Sequence, residues 1–390
     1  MEYRVKVLDH IEKRDFTNQI LFPGEFGNQF DVILRTLNKL ESIHYLITIF
    51  LLVFISGIVA LFEPTKWLIL VFASFCDVII ISLQPKQKIA FGPLKIQVLL
   101  LFFLRIPFMW LPHPWYWIAQ FTGGILVVWG FLVEPSKILK TEMQLTSTKL
   151  AQNESIHFVQ LGDIHLERSG IREATLINNI KSIAPQFIVY TGDFLNLSNN
   201  EDPVAIEQVI ELFNQIAKIA PIYYVNGSVA VDLPETLKKI DIGINASQLN
   251  NQSVLIEGSN YKLELLGLHC THRPHQDIAL LPKTFENFDN FRILAYHSPD
   301  IIFELPTDNS IDLVLSGHTH GGQVRLPIFG AIFTGSLYGR LLQYGLYRYY
   351  STHLYISRGI GLEGQGAPRV RFLCPPEIVE WYINPKGETT

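Results

Sequence analysis

Within its first third the chain carries four runs that are almost wholly apolar, at residues 43–62, 67–83, 94–111 and 115–133. Each is close to the roughly 17–25 residues that a helix needs to cross the hydrocarbon core of a bilayer. In that medium every backbone amide must find its partner inside the same helix or in a closed barrel. The runs therefore predict four transmembrane helices and confine any water-exposed domain to the rest of the 390 residues. About forty mixed polar residues precede the first run, unlike the short basic stretch and apolar core of a cleavable signal peptide, so that run is expected to stay in the mature protein.

Basic residues set the expected orientation, because cytoplasmic flanks are rich in Lys and Arg. Arg4, Lys6, Lys13, Arg14, Arg35 and Lys39 precede the first run, Lys86, Lys88 and Lys95 separate the second from the third, and Lys137, Lys140 and Lys149 follow the fourth. The opposite loops offer only Lys66. Both ends, and with them the large C-terminal region, are predicted to be cytoplasmic. The segment from Trp110 to Trp117, with Pro112 and Pro114 among four aromatic residues, suits a hairpin at the opposite interface. Asp77 and Arg105 fall inside apolar runs, where a charge is costly. An ion pair between neighbouring helices explains them better than a transport path, which one pair does not make. Phe30, Ile33, Leu34, Leu37 and Leu40 recur at helical spacing before the first run. They describe either a helix lying on the inner leaflet or one packed on the chain's own soluble part.

A net charge of −5 and a pI near 6.2 leave no basic footprint for nucleic acid. Cys76, Cys270 and Cys374 are odd in number and far apart, so no disulfide framework or cysteine zinc site follows. A connecting segment at 135–154 leads to a region, 155–390, of different pattern. Short apolar runs at 156–161, 187–190, 222–225, 291–295 and 313–315 read as buried strands, with helical periodicity at 171–184 and 204–219 between them. Further strand-like segments lie at 262–268, 354–357, 370–372 and 378–383. Strands alternating with helices predict an α/β domain layered on a central sheet.

Polar residues cluster where these strands end. Gly162-Asp163-Ile164-His165 follows the first strand and Gly192-Asp193 the second; Tyr296-His297-Ser298 and Gly317-His318-Thr319-His320 follow later ones. Ligands collect at the carboxyl ends of strands in open α/β sheets, so residues distant in sequence converge there. Two Asp and four His at one edge make a metal-ligand set, suited to Mn, Fe or Zn. A single Gly-Asp is usually a turn, but two imidazoles one residue apart after an apolar strand have little purpose without a metal.

On these motifs the segment 156–383 resembles the calcineurin-like metallophosphoesterases, and Gly321-Gly322-Gln323, Ser357-Arg358-Gly359 and Pro375-Pro376-Glu377-Ile378 are similar to their bacterial membrane-associated branch. The resemblance implies a four-layer αββα sandwich holding two divalent metal ions in a multi-pass protein of the bacterial inner membrane. It implies that Asp163, His165 and His320 hold one ion, that Asp193 bridges both, and that His297 and His318 hold the other. A hydroxide between the ions, formed near neutral pH, would then attack the phosphorus of a phosphomonoester or phosphodiester, with Asp193 and His318 acting through it. Location at a membrane points to a lipid-linked substrate.

One motif departs from the pattern. After 221–225 the chain reads Asn226-Gly227-Ser228-Val229-Ala230-Val231-Asp232, which puts Ser228 where the family has a metal-binding Asn and Val229 where it has a proton-donating His. Either Ser228 or Asp232 is a candidate ligand of the second ion. Val229 cannot transfer a proton, and loss of general acid catalysis typically removes about 10² to 10⁴ in rate. His269, His272 and His275 share one loop and are candidates to replace it, or are solvated loop residues. Arg325 and Arg358 are candidates to bind a substrate anion, or else surface or ion-pair residues. The altered motif also admits a second function: a catalytically weakened membrane sensor or scaffold that binds metal and phosphate.

Overall fold

The computed structural model describes residues 29–61, 63–151, 155–257, 261–281, 290–307 and 309–386. Arg4, Lys6, Lys13 and Arg14, which carry part of the orientation argument, lie outside them. Helix α1 (Gln29–Asn38) leads into a helical bundle of α2 (Tyr45–Val59), α3 (Pro64–Lys86), α4 (Leu94–Arg105) and α5 (Trp115–Val128), the last continuing through tighter and wider turns to Ser136. Helices therefore occupy all four apolar runs, but two of them are long and apolar enough to cross a membrane, Pro64–Lys86 and Trp115–Ser136. Helix α4 ends at Arg105 and a 3₁₀ segment, Ile106–Trp110, follows it. Pro107 lacks the amide that an α-helix needs there. The segment Val32–Ser42 meets α2 at 98°.

Side chains on the bundle exterior are apolar, as Phe50, Phe72, Phe75, Phe121 and Ile125 illustrate, each more than half exposed. A helix apolar all round is stable only when lipid or protein covers it. Inside the bundle the guanidinium of Arg105 forks onto Asp77, with Nε to Oδ2 and Nη2 to Oδ1 both 2.7 Å. Its remaining donor, Nη1, reaches the Gln120 carbonyl and side-chain oxygens at 3.1 and 3.2 Å. The expected ion pair between α3 and α4 is formed, with Gln120 of α5 as its third member.

The soluble part packs two mixed six-stranded sheets face to face. The first sheet has the order β1-β14-β2-β3-β4-β5, from β1 (Leu139–Ser147), β2 (Ile156–Leu161), β3 (Phe187–Tyr190), β4 (Ile222–Tyr224), β5 (Ser247–Gln248) and β14 (Glu377–Pro385). The second runs β12-β13-β9-β8-β7-β6, from β6 (Gln252–Glu257), β7 (Lys262–Gly267), β8 (Phe291–Ala295), β9 (Leu313–Ser316), β12 (Gly345–Tyr349) and β13 (Thr352–Ile356). A small hairpin, β10 (Arg325–Leu326) and β11 (Gly330–Ala331), stands apart from both. Phe158, Phe187, Leu265, Ile293, Leu315 and Trp381 fill the space between the sheets. Helices α6 (Ile171–Ile183), α7 (Pro203–Ala217) and α8 (Pro234–Gly243) cover the outer face of the first sheet. The outer face of the second is covered by single turns such as Pro274–Asp277 and Pro299–Phe303, so the expected fourth layer is thin.

Two expectations change. Segment 135–154 is not a plain connection, because nine of its residues form β1, paired parallel to β14. Its alternation of half-buried Leu139, Thr141, Met143 and Leu145 with exposed Lys140, Glu142, Gln144 and Thr146 is that of an edge strand. Segment 370–372 makes only an isolated bridge, Val324 to Phe372.

Bundle and sandwich are joined by buried polar contacts. The Gln84 amide donates to the carbonyls of Phe131 and Arg369 at 2.9 and 2.7 Å. The Arg369 N–H donates to Gln97 Oε1 at 2.8 Å, and its guanidinium pairs with Glu167 at 3.1 Å. Of the two readings of helix α1, the one observed is packing on the chain's own sandwich. Leu34 is buried against Leu197, Ala230, Val231 and Ala367, while Val32, Ile33, Leu37 and Leu40 stay exposed.

Candidate active site

Strands β2, β3 and β4 run parallel in one sheet, and β7, β8 and β9 run parallel in the other. Their carboxyl ends meet at one rim. Asp163 and His165 follow β2, Asp193 follows β3, Ser228 follows β4, His297 follows β8, and His318 and His320 follow β9. Hydrogen bonds across the rim fix these loops. The His318 N–H donates to Asp163 Oδ1 at 2.8 Å, and the Ser228 N–H donates to Asp193 Oδ1 at 2.7 Å. Glycine is required at two of the crossings: a Cβ on Gly317 would overlap the Asp163 carboxylate, and one on Gly227 the Asp193 carboxylate.

Asp163, His165, Asp193, His318 and His320 all take φ between 42° and 68°, the left-handed region that non-glycine residues rarely occupy. Strain of about 1–3 kcal/mol per residue persists only where the surroundings over-determine it, and it gathers at functional sites.

The donor atoms converge on two points that share one carboxylate. Around the first, His165 Nε2 lies 3.0 Å from His320 Nε2 and 3.2 Å from Asp193 Oδ2, with Asp163 Oδ1 3.7 Å from His320 Nε2. Around the second, His297 Nε2 lies 3.4 Å from the same Asp193 oxygen. The ring nitrogens on this side become lone-pair donors once each imidazole is neutral, the state in which it binds metal. His297 donates its Nδ1–H to the Thr191 carbonyl at 2.8 Å, and His318 donates Nε2–H to the Gly335 carbonyl at 3.2 Å. Donors packed this closely repel unless protons or a cation lie among them. A cation at about 2.0–2.2 Å from each donor gives donor spacings of roughly 2.8–3.6 Å in octahedral or tetrahedral geometry. The buried, unpartnered Asp163 Oδ2 is a further orphan that a cation would satisfy. The residues present therefore fit metal ions.

Charge states differ among the histidines. Burial, with His297 nearby, holds His318 down to about 3, and burial likewise keeps His320 well below the usual imidazole range, so both are neutral ligands. Burial opposes charge on Asp193, but His297 and His165 outweigh it and hold the carboxyl well below its ordinary value. Burial also opposes charge on His297, yet Asp193 beside it lifts that imidazole to about 9.

The rim places the other expected residues differently. Asp232 is turned into the backbone: Oδ2 accepts the N–H groups of Gly227 and Asp193 at 2.7 and 3.0 Å, and Oδ1 accepts that of Phe194 at 3.0 Å. Ser228 Oγ stands among the imidazoles, 3.1 Å from His297 Nε2 and 3.5 Å from His318 Nδ1. Arg358 forks onto Glu377 at 2.6 and 3.0 Å, and Arg325 donates to the Gly321 carbonyl and Gln343, both at 2.9 Å. Both guanidiniums also stack on Tyr344. Sequence reasoning missed Arg371, fully buried, whose Nη1 donates to the His320 carbonyl at 3.3 Å and fixes that loop.

An α/β sandwich with buried clusters of Asp and His at its carboxyl rim defines a metal-dependent hydrolase. Residues 156–322 match the calcineurin-like phosphoesterase family. The chain is 30% identical to an uncharacterized metallophosphoesterase of Bacillus subtilis, YkuE, over 65% of its own length and 87% of that protein. It is 29% identical to the phosphodiesterase YaeI of Escherichia coli, over 56% of its own length and 78% of that protein. It is 26% identical to the UDP-2,3-diacylglucosamine pyrophosphatase LpxG of Chlamydia trachomatis, over 64% and 91%. The chain belongs to the calcineurin-like phosphoesterase family, and it is a hydrolase that uses divalent metal ions.

Proposed function

We propose that the protein hydrolyses a phosphomonoester or phosphodiester whose phosphate carries an apolar tail, at a dinuclear metal site that opens toward a cytoplasmic membrane surface. One observation carries this: a cleft of about 1180 Å³ runs from Asp193, Ser228, His318 and His320 to the apolar flanks of α4 and α5, past Leu99, Phe103, Ile118 and Leu126. Metal donors at one end and aliphatic walls at the other match an amphiphilic ester. The hairpin β10–β11 supports the same placement. Leu326, Ile328, Phe329, Ile332 and Phe333 are all largely exposed there, and Ile332 and Phe333 also line the cleft. An apolar patch of this kind marks a lipid or protein contact. LpxG is named for a diacylated substrate, in line with this reading.

Asp163, His165 and His320 would hold the first ion, Asp193 both, and His297 and His318 the second. When bound, the ions supply charge neutralisation at phosphate and a water acidic enough to attack near neutral pH. Gly317 and Gly227 leave room for the carboxylates, the inter-loop hydrogen bonds fix their orientation, and the cleft walls place the ester oxygen at the rim and exclude water from the tail. The four helices would cross the bilayer with both ends cytoplasmic, α4 together with the 3₁₀ segment Ile106–Trp110 that prolongs it and α2 with local thinning of the bilayer.

The test uses the full chain in detergent with manganese, comparing an activated aryl phosphodiester with the same ester bearing a long alkyl chain. Burying two methylenes at about 0.8 kcal/mol each should raise kcat/KM by more than about tenfold. Ala119→Trp, which narrows the cleft, should remove that preference and leave the short ester unaffected. Equal kcat/KM for both esters would refute the tail. No turnover above Asp193→Asn with either ester would favour the sensor reading.

A further inference from the structure

The motif that lacks its Asn leaves the second ion short of one strong protein ligand, since His297, His318 and the shared Asp193 are joined there only by the neutral hydroxyl of Ser228. A seventh residue stands where the gap lies. His272 follows β7, the parallel neighbour of β8, and therefore emerges at the same rim as the other donors. It is 1% exposed, and its Nε2 lies 3.0 Å from Ser228 Oγ, the atom at the vacant Asn position. Its ring centroid is 4.5 Å from that of His318 and 5.9 Å from that of His297. Ligand nitrogens of these three imidazoles all fall within 4.8 Å of one another. Its backbone, at φ 59°, shares the left-handed conformation of five of the six donors already described.

Ser228 Oγ stands between three buried imidazole nitrogens, His272 Nε2 at 3.0 Å, His297 Nε2 at 3.1 Å and His318 Nδ1 at 3.5 Å. Three ring nitrogens gathered around one small hydroxyl have the spacing of ligands about a single cation.

We propose that His272 is a ligand of the second metal ion, replacing from a different loop the Asn that the third motif has lost. The inference rests on the dinuclear reading above. It makes the two sites chemically unequal: the first draws on two imidazoles and two carboxylates, the second on three imidazoles and one shared carboxylate. Nitrogen-rich sites favour zinc, iron or cobalt, whereas carboxylate-rich ones accept manganese more readily. The second site should therefore keep a later transition metal through a dialysis that strips manganese from it.

The full chain is purified in detergent, loaded with cobalt, dialysed, and read by elemental analysis for ions per chain and by the visible d–d absorption of the bound cobalt. The wild type should keep two ions, and His272→Ala should keep one, with affinity for the second lowered at least about a hundredfold. His269→Ala, altered in the same loop outside the cluster, should keep two. Ser228→Asn combined with His272→Ala restores the oxygen ligand and should recover the second ion, which a misfolded variant could not do. Two ions in His272→Ala with an unchanged cobalt spectrum would overturn the assignment while leaving the dinuclear reading standing. Fewer than two ions in the wild type would overturn both.

Discussion

Replacing Asp77 by Asn removes the charge that Arg105 faces inside the bundle and leaves the buried guanidinium with neutral partners alone, Gln120 and the amide oxygen at position 77. Both side chains are almost fully buried, and the two N···O distances of 2.7 Å define a bidentate pair. At about 4 Å between charge centres and an effective dielectric near 20, the lost attraction is about 4 kcal/mol. That agrees with the roughly 3–5 kcal/mol found when one partner of a buried pair is removed. Arg105→Met should cost a similar amount through the uncompensated Asp77. Combining Asp77→Leu with Arg105→Met removes both charges and should recover most of the loss, because an apolar pair of similar volume replaces the ionic one at little net cost. The exchange Asp77→Arg with Arg105→Asp restores the attraction but forfeits the Gln120 contacts, so its recovery should be partial. Thermal unfolding of the detergent-solubilised chain reads these differences: each single variant should melt about 6–10 °C lower, at roughly 2 °C per kcal/mol. If the double variants lose the sum of the single losses, there is no coupling and the pair does not hold the bundle together.

Further outcomes follow from the rim. Asp232→Asn places an amide donor against backbone N–H groups and should destabilise the chain by about 2–4 kcal/mol, yet two ions per chain should remain; loss of an ion would make Asp232 a ligand after all. Gly317→Ala drives a Cβ into the Asp163 carboxylate and should cost the first ion and at least about a hundredfold in kcat. Because metal must displace the proton that Asp193 holds on His297 up to about pH 9, apparent metal affinity should rise about tenfold per pH unit through neutrality and level off above that value. A flat profile by titration calorimetry would contradict it. Ile328→Asp, at the exposed hairpin tip, should lower turnover of a bilayer-borne ester without changing that of a short soluble one.

Six donors were legible because each sits within a few residues of a strand end, and Gly-Asp, Asp-x-His and Gly-His-Thr-His carry the close packing of carboxylate against glycine in the sequence itself. His272 was legible only as one of three loop histidines that could replace the lost proton donor, not as a residue of the metal rim. It shares a loop with His269 and His275, and only the parallel pairing of β7 with β8 brings one of the three to the rim. Assigning 262–268 as a neighbour of 291–295 would have raised the signal. Strand β1 was hidden for a different reason: an edge strand needs only one partner and tolerates a polar alternate face, so its composition resembles a loop. Arg325 and Arg358 look like anion ligands in isolation, but Glu377, Tyr344 and Gln343 are remote in sequence and engage them. Helix lengths were overestimated at 94–111, where Pro107 interrupts a run that hydropathy alone carries through.

Strand β1 has a practical meaning for anyone who wishes to separate the sandwich from the helical bundle. It is the first segment after the bundle, and it zips residue by residue along the whole of β14, from Leu139 against Glu377 to Ser147 against Pro385. A fragment cut after residue 150 would bare the full edge of a strand bearing Val379, Trp381 and Ile383, and an open apolar edge recruits other chains. A fragment beginning before Leu139 keeps that edge closed. The helical bundle and the sandwich thus share a seam, and a pull on the bundle is felt first at the strand that closes the catalytic domain.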